Sequence, residues 1–155
     1  MTENNQYQAA LEVKFGVHYN AANEKFYNRL KIVFDVITIA SGSSAFAGVL
    51  AQIPHLTAAA GIVIAVITAI GIAVSPGATA ARFNEIHRRF TALEGRTAGM
   101  TAAAIRSEIS AIRVDAPTGL RSINPVAYNR CLQANGYGDG FVPLNAWQKL
   151  FEVVA

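Results

Sequence analysis

A chain of 155 residues is the length of one ordinary domain, and at 52% hydrophobic with a mean hydropathy of +0.29 it is apolar without excluding a soluble fold. Its formal charge of +3 is too small to argue for direct nucleic-acid binding, and the single cysteine, Cys131, excludes an internal disulfide and suits a reducing compartment. The placement of charge is more informative: all 23 charged residues lie outside the 46-residue run Val36–Ala81, which contains His55 but no Lys, Arg, Asp or Glu.

The first 28 residues are polar and carry Glu3, Glu12 and Glu24, unlike a cationic secretory leader. Residues 5 to about 29 read as an amphipathic helix, with Tyr7, Leu11, Phe15, Ala22, Phe26 and Leu30 recurring mostly at i+4 and i+7 and Gly16 as a place to break. Such a helix packs on the rest of the polar chain or lies in a lipid interface. Tyr19, Phe26, Tyr27, Arg29 and Lys31 stand where aromatic rings and long cations are favoured at headgroup level.

The uncharged run is long enough for two crossings of a bilayer, since each helical crossing takes roughly 20 apolar residues. Pro54-His55 interrupts it, so the expected fold is an all-α membrane protein: a two-span transmembrane helical hairpin, spans about 32–53 and 56–76, with an N-terminal amphipathic helix and C-terminal cytoplasmic helices. The domain division is then 1–31, 32–81 and 82–155. Lys14, Lys25, Arg29 and Lys31 precede the hairpin and Arg82, Arg88, Arg89 and Arg96 follow it, whereas the turn holds neither Lys nor Arg. The positive-inside bias places both termini in the cytoplasm, with a bacterial inner membrane as the host.

The two spans differ. In the first, Thr38, Ser41, Ala45, Gly48 and Gln52 follow one another at intervals of 3, 4, 3 and 4 and form a small, polar stripe, off which Ile39, Phe46, Leu50 and Ile53 largely lie. The stripe either packs against another helix or lines a pore. Lys31 and Asp35, an i,i+4 pair, stand at the cytoplasmic mouth. In the second span Gly61, Ala65, Ala69 and Ala73 repeat every four residues as a helix-packing ridge on an otherwise bulky apolar body.

Ser75-Pro76-Gly77 predicts a kink or an end, after which Ala78 to Leu93 resumes a helix. A further helix over 101–116 has Thr101 as N-cap and Ile105, Ile109 and Ile112 as its apolar stripe. A short helix over 126–135 takes Asn124 as cap and Pro125 at its first position. Gly136, Gly138 and Gly140 read as a turn, because neither a preceding strand nor a following Lys-Ser/Thr makes them a phosphate loop. A final helix over 144–154 puts Trp147, Leu150 and Phe151 on one side.

No catalytic constellation is legible. His18, His55 and His87 lack ligand-spaced partners, Cys131 lacks a neighbouring base, and no serine stands in a nucleophile motif. The expectation is a protein that is not an enzyme, with no cofactor and no metal. The arginines that follow the run suit lipid phosphates, acidic partner helices, a nucleotide messenger or plain solvation.

The order of these elements resembles the SLATT family, a two-transmembrane effector domain of bacterial nucleotide-signalling and antiphage conflict systems. The resemblance rests on His18-Tyr19-Asn20-Ala21-Ala22 before the first span and on Arg82-Phe83-Asn84 with Arg88-Arg89-Phe90 after the second. Further along, Ala127 to Leu132, Gly136-Tyr137 and Trp147 to Phe151 carry it. It implies an oligomeric pore-forming or membrane-disrupting effector in antiphage defence, gated by a cyclic nucleotide or a partner sensor protein. Its partners are then membrane lipid and further copies of the chain. Rival readings are a phage holin-like lysis protein, for which residues 82–155 are a long tail, and a non-conducting membrane scaffold.

Overall fold

The computed structural model describes residues 2–43, 54–137 and 140–154, and among them every regular element is helical. The elements are α1 (Thr2–Ser41), α2 (Pro54–Val74), α3 (Pro76–Glu94), α4 (Ala102–Val114), α5 (Asn124–Ala134) and α6 (Ala146–Val154), with short 3₁₀ turns at Thr97–Gly99 and Arg121–Ile123. They group into two compact units. Met1–Phe26 with Ala80–Ala155 forms one, and Tyr27–Thr79 the other.

The first unit has a true core. Its main cluster joins Ala9 and Val13 of α1, Ile86, Phe90 and Leu93 of α3, and Ile105, Ile109 and Ile112 of α4. A smaller cluster sets Ala22 and Ile123 among Tyr19, Phe26, Leu120 and Phe151. The face that α1 buries meets the expected stripe at Ala22, which is buried, and at Phe26, which packs on Phe151, but departs from it over the first turns. Ala9, Val13, Gly16, Asn20 and Asn23, spaced 4, 3, 4 and 3, are buried, while Tyr7 is exposed and Leu11 and Phe15 are half-covered. Close approach explains this choice: a Cβ on Gly16 would stand 2.5 Å from a ring carbon of Phe90, so the aromatic ring occupies the space a side chain would take. Gly16 does not break the helix, because tertiary packing outweighs a propensity cost of about 1 kcal/mol.

Buried polar groups on that face are paired. Asn20 Nδ2 donates to Gly16 O at 2.7 Å, and Asn23 Nδ2 donates to Tyr19 O at 2.9 Å while its Oδ1 accepts from Leu120 N at 3.1 Å. The Asn23 amide thus ties the 117–123 loop to α1 across 97 residues of sequence.

Helix ends follow local chemistry. Thr101 caps α4, its hydroxyl accepting from Ala104 N at 3.3 Å. Asn124, expected as the cap of α5, is instead its first helical residue; the cap position falls on Ile123, which closes a 3₁₀ turn running straight into the helix. α5 stops where Gly136 adopts φ +79°, and Tyr137 N then reaches back to Leu132 O at 2.9 Å. A reciprocal pair opens α6: Asn145 N donates to Gln148 Oε1 at 2.9 Å and Gln148 N to Asn145 Oδ1 at 2.8 Å.

The second unit is built differently. Its described helical parts expose Ile32, Val33, Val36 and Ile39 on α1 and Ile62, Val63, Val66, Ile70 and Ile72 on α2. Apolar side chains on nearly every face of a helix suit an apolar solvent. One helical stretch among the described residues, Ala59–Glu94, is long and apolar enough to cross a membrane: its best window has mean hydropathy 2.2 with 6% of it buried. The first of the two expected spans ends in residues 44–53, which lie outside the described residues, so one membrane-length stretch stands where two were expected.

Candidate functional site

The second unit contains a cleft of about 500 Å³ between α1 and the junction of α2 with α3. α1 contributes Lys31, Phe34, Asp35 and Thr38, and Thr68, Gly71, Ser75 and Gly77 face them. Glycines set how closely the two walls meet: a Cβ on Gly71 would lie 3.0 Å from Phe34 Cδ1, and one on Gly77 would lie 3.2 Å from Lys31 Cδ.

The floor of the cleft is a repaired helix break. Pro76 has no N–H, so the carbonyl of Ile72, four residues earlier, loses its helical donor. Ser75 takes over that role, its Oγ donating to Ile72 O at 2.7 Å. Backbone bonds from Ser75 N to Gly71 O and from Thr79 N to Ser75 O, both 3.0 Å, carry the helix across the interruption. The cost lies in Ser75 itself, held at φ +43°, a left-handed conformation worth about 1–2 kcal/mol of strain in a residue other than glycine. In an apolar solvent an unsatisfied carbonyl costs several kcal/mol, so the strained serine is the cheaper state.

Charge sits at one rim only. Lys31 Nζ and Asp35 Oδ2 are 2.5 Å apart, with both side chains about half exposed. Exposure keeps such a pair weak, within about 1 kcal/mol. The hydroxyls are inward-looking in the chemical sense: Thr38 Oγ1 donates to Phe34 O at 2.8 Å and Ser41 Oγ to Thr38 O at 2.9 Å. Bonded to their own helix, they can face apolar neighbours without an unmet donor. The cleft therefore offers an ion pair and an apolar wall for binding, and none of its hydroxyls is paired with a base.

Thus Lys31, Asp35 and Thr38 come together in the cleft, and Ser41 is half-buried one turn further on. Ala45, Gly48 and Gln52, the rest of the stripe, lie outside the described residues, as do Phe46 and Leu50. Gly61, Ala65, Ala69 and Ala73 are all exposed, and the face of α2 that is half-covered within the chain is Ala60, Ile64, Ile67, Thr68 and Gly71. The chain's own contact thus runs through Gly71 and Gly77, residues absent from the expected ridge. Their spacing of six across Ser75-Pro76 matches no single helical repeat.

The first unit adds a polar network and an apolar groove. Glu24 accepts from Asn84 Nδ2 at 2.7 Å and lies 3.6 Å from His87 Nδ1. Leu11, Phe15, Tyr128 and Leu132 line a groove of about 450 Å³, with Cys131 beside them. Burial pushes the Cys131 thiol up from its ordinary pKa, with Glu94 acting the same way and Lys14 opposing them. Among the described residues no group of three His, Cys, Asp or Glu side chains stands close enough to hold a metal ion. No protein-family model, curated protein or solved structure matches the chain.

Proposed function

We propose that the chain is the membrane-embedded subunit of a homo-oligomer, and that its assembly breaches or conducts across a bacterial inner membrane. The observation that carries this reading is the exposure of Gly61, Ala65, Ala69 and Ala73 along a stretch long and apolar enough to span a bilayer. Between helices in lipid there is no hydrophobic gain, so association depends on close backbone approach over small residues. A ridge of that kind left uncovered by the chain itself suits the same ridge, or another span, of a second copy.

In the full proposal Val36–Ile53 forms the first crossing of a hairpin and both termini are cytoplasmic. The Thr38–Gln52 stripe faces the oligomer axis, and the unit containing α3 to α6 controls assembly. Its resemblance to the SLATT family supplies the biological setting, antiphage defence gated by a cyclic nucleotide or a partner sensor protein.

Dye release from phosphatidylethanolamine/phosphatidylglycerol vesicles, with and without candidate cyclic nucleotides, tests the reading. Wild-type protein should release dye, and Ala65→Leu with Ala69→Leu should reduce release about tenfold, the equivalent of the 1–2 kcal/mol carried by one good intramembrane helix contact. Release that ignores every signal and every ridge substitution fits a holin-like lysis protein instead. No release, with the protein inserted, overturns the conducting function and leaves a scaffold.

A further inference from the structure

We infer that α6 is a membrane-interface anchor, its outer ridge of Trp147, Leu150 and Val153 seated among lipid headgroups and upper acyl chains. The inference rests on the membrane reading of the uncharged run and adds to it a second, non-spanning contact with lipid. Trp147 and Val153 are 71% and 75% exposed and Leu150 is 51% exposed, although all three are large apolar residues on a helix of nine.

This exposure is not that of a loose tail. α6 is fastened on its inner side, where Phe151 packs on Phe26 with ring centroids 5.3 Å apart. Arg130 donates to Glu152 O at 2.8 Å, the Asn145/Gln148 pair closes its first turn, and Asn129 clamps the approach by bonding both N and O of Val142 at 2.9 Å. At 100° per residue Val153, Leu150, Trp147 and Phe151 follow one another along a single apolar arc of about 160°, with Phe151 at the edge that meets Phe26 and Lys149 and Glu152 on the other side of the helix. The contact with Phe26 covers the Phe151 edge of that arc, and the rest of it stays largely exposed at Trp147, Leu150 and Val153.

Lipid is the occupant that the surroundings favour. The anchor point Phe26 lies on α1 only ten residues before Val36, where the uncharged run begins. Tyr27, Arg29 and Lys31, aromatic and cationic residues suited to headgroup level, fill that interval. Tryptophan is the side chain most at home at this depth, with an apolar body and one N–H for water or a headgroup, and Lys149 on the flank can reach lipid phosphate.

Trp147 is the one tryptophan of the chain, so its fluorescence reports this site alone. The full chain is reconstituted into phosphatidylcholine/phosphatidylglycerol vesicles, with flotation measured in parallel to score insertion. Phosphatidylcholine brominated at shallow acyl positions should quench Trp147 about twofold, and water-soluble acrylamide should quench it less than in the unfolded chain. Leu150→Lys with Val153→Lys, both at exposed positions, should abolish the bromolipid quenching while the protein still floats. A floating protein whose Trp147 is untouched by bromolipid overturns the anchor and leaves the spanning segment standing. Protection from acrylamide that appears only at high protein-to-lipid ratio overturns it in favour of a second copy on the ridge. Failure to float overturns both readings.

Discussion

The two units use apolar residues in opposite ways. In the unit formed by Met1–Phe26 and Ala80–Ala155, isoleucines and phenylalanines recur at helical spacing and turn inward: Phe83, Phe90, Ile105 and Ile109 are all but inaccessible. In the Tyr27–Thr79 unit the same residue types stand outward on nearly every face of α2 and on the last turns of α1. Water explains the first arrangement, through the gain of about 25 cal/mol for each Å² of apolar surface hidden. It would penalise the second, whose exposed apolar faces on α2 suit a membrane, and what its own helices share is a close contact at Gly71 and Gly77.

That contrast can be broken most directly by one type of truncation in both units. Phe83→Ala removes a ring with 0% exposure and should lower unfolding stability by about 3–5 kcal/mol, read by denaturant titration in mild detergent. Ile62→Ala, at a side chain 68% exposed within the chain, should change the same transition by about 0.5 kcal/mol or less. Equal losses would mean that α2 is packed within the subunit and that the contrast is mistaken. Next in size is Asn23→Ala, which leaves the half-buried Leu120 N without its acceptor and should cost about 1–2 kcal/mol. Its loss should appear chiefly as protease sensitivity in the 117–123 loop, since Asn23 is what ties that loop to α1.

How far the sequence could be read depended on side-chain size. Ile105, Ile109 and Ile112 declared the buried face of α4, Thr101 its cap, and Ser75-Pro76-Gly77 the helix break, because large apolar spacing and missing donors are written in residue type. On α1 the large-residue pattern includes Ala22, which is buried, and Phe26, which packs on Phe151, but it passes over Ala9, Gly16, Asn20 and Asn23, because these are small or polar and carry no hydrophobic signal. Their importance lies in how near Phe90 and Leu120 can come, a property of the partner as much as of the residue. At the cleft, the Lys31–Asp35 pair was visible as an i,i+4 spacing. Gly71 and Gly77 were not visible, since their meaning depends on Phe34 and Lys31 lying opposite. On α6, Trp147, Leu150 and Phe151 read as one apolar side, and only the contact of Phe151 with Phe26 tells which edge of that side the chain covers and which it leaves exposed.

Gly16→Ala sharpens the point about close approach, because two effects of opposite sign compete. Alanine favours helix over glycine by about 1 kcal/mol. Against this, the new Cβ would fall 2.5 Å from the buried Phe90 ring, so that the ring or the helix must shift, and overpacking costs about 1–3 kcal/mol. A net loss of about 1 kcal/mol is therefore expected, and a net gain would show that α1 and α3 separate more easily than their packing implies.

The smallest expected effect separates the units by pH. His18 lies half-buried on α1, and burial lowers its pKa below the ordinary 6.5, with Arg130, His87 and Lys14 acting the same way and Glu94 opposing them. A lowered folded value means that the unfolded chain takes up a proton first as pH falls. Stability from this group is therefore fully present above 6.5 and is lost as pH drops through that value toward the lower folded one. Unfolding midpoints measured from about pH 7.5 down to about pH 5 should fall in the wild type, and His18→Gln should flatten the part of the slope that belongs to this histidine. The same titration followed by a probe on α2 should show no His18-dependent component, because His18 belongs to the packed unit. If His18→Gln leaves the slope unchanged in the packed unit, the imidazole already takes up its proton in the folded chain, and the burial that distinguishes this unit from its apolar neighbour stops short of the α1 face on which His18 stands.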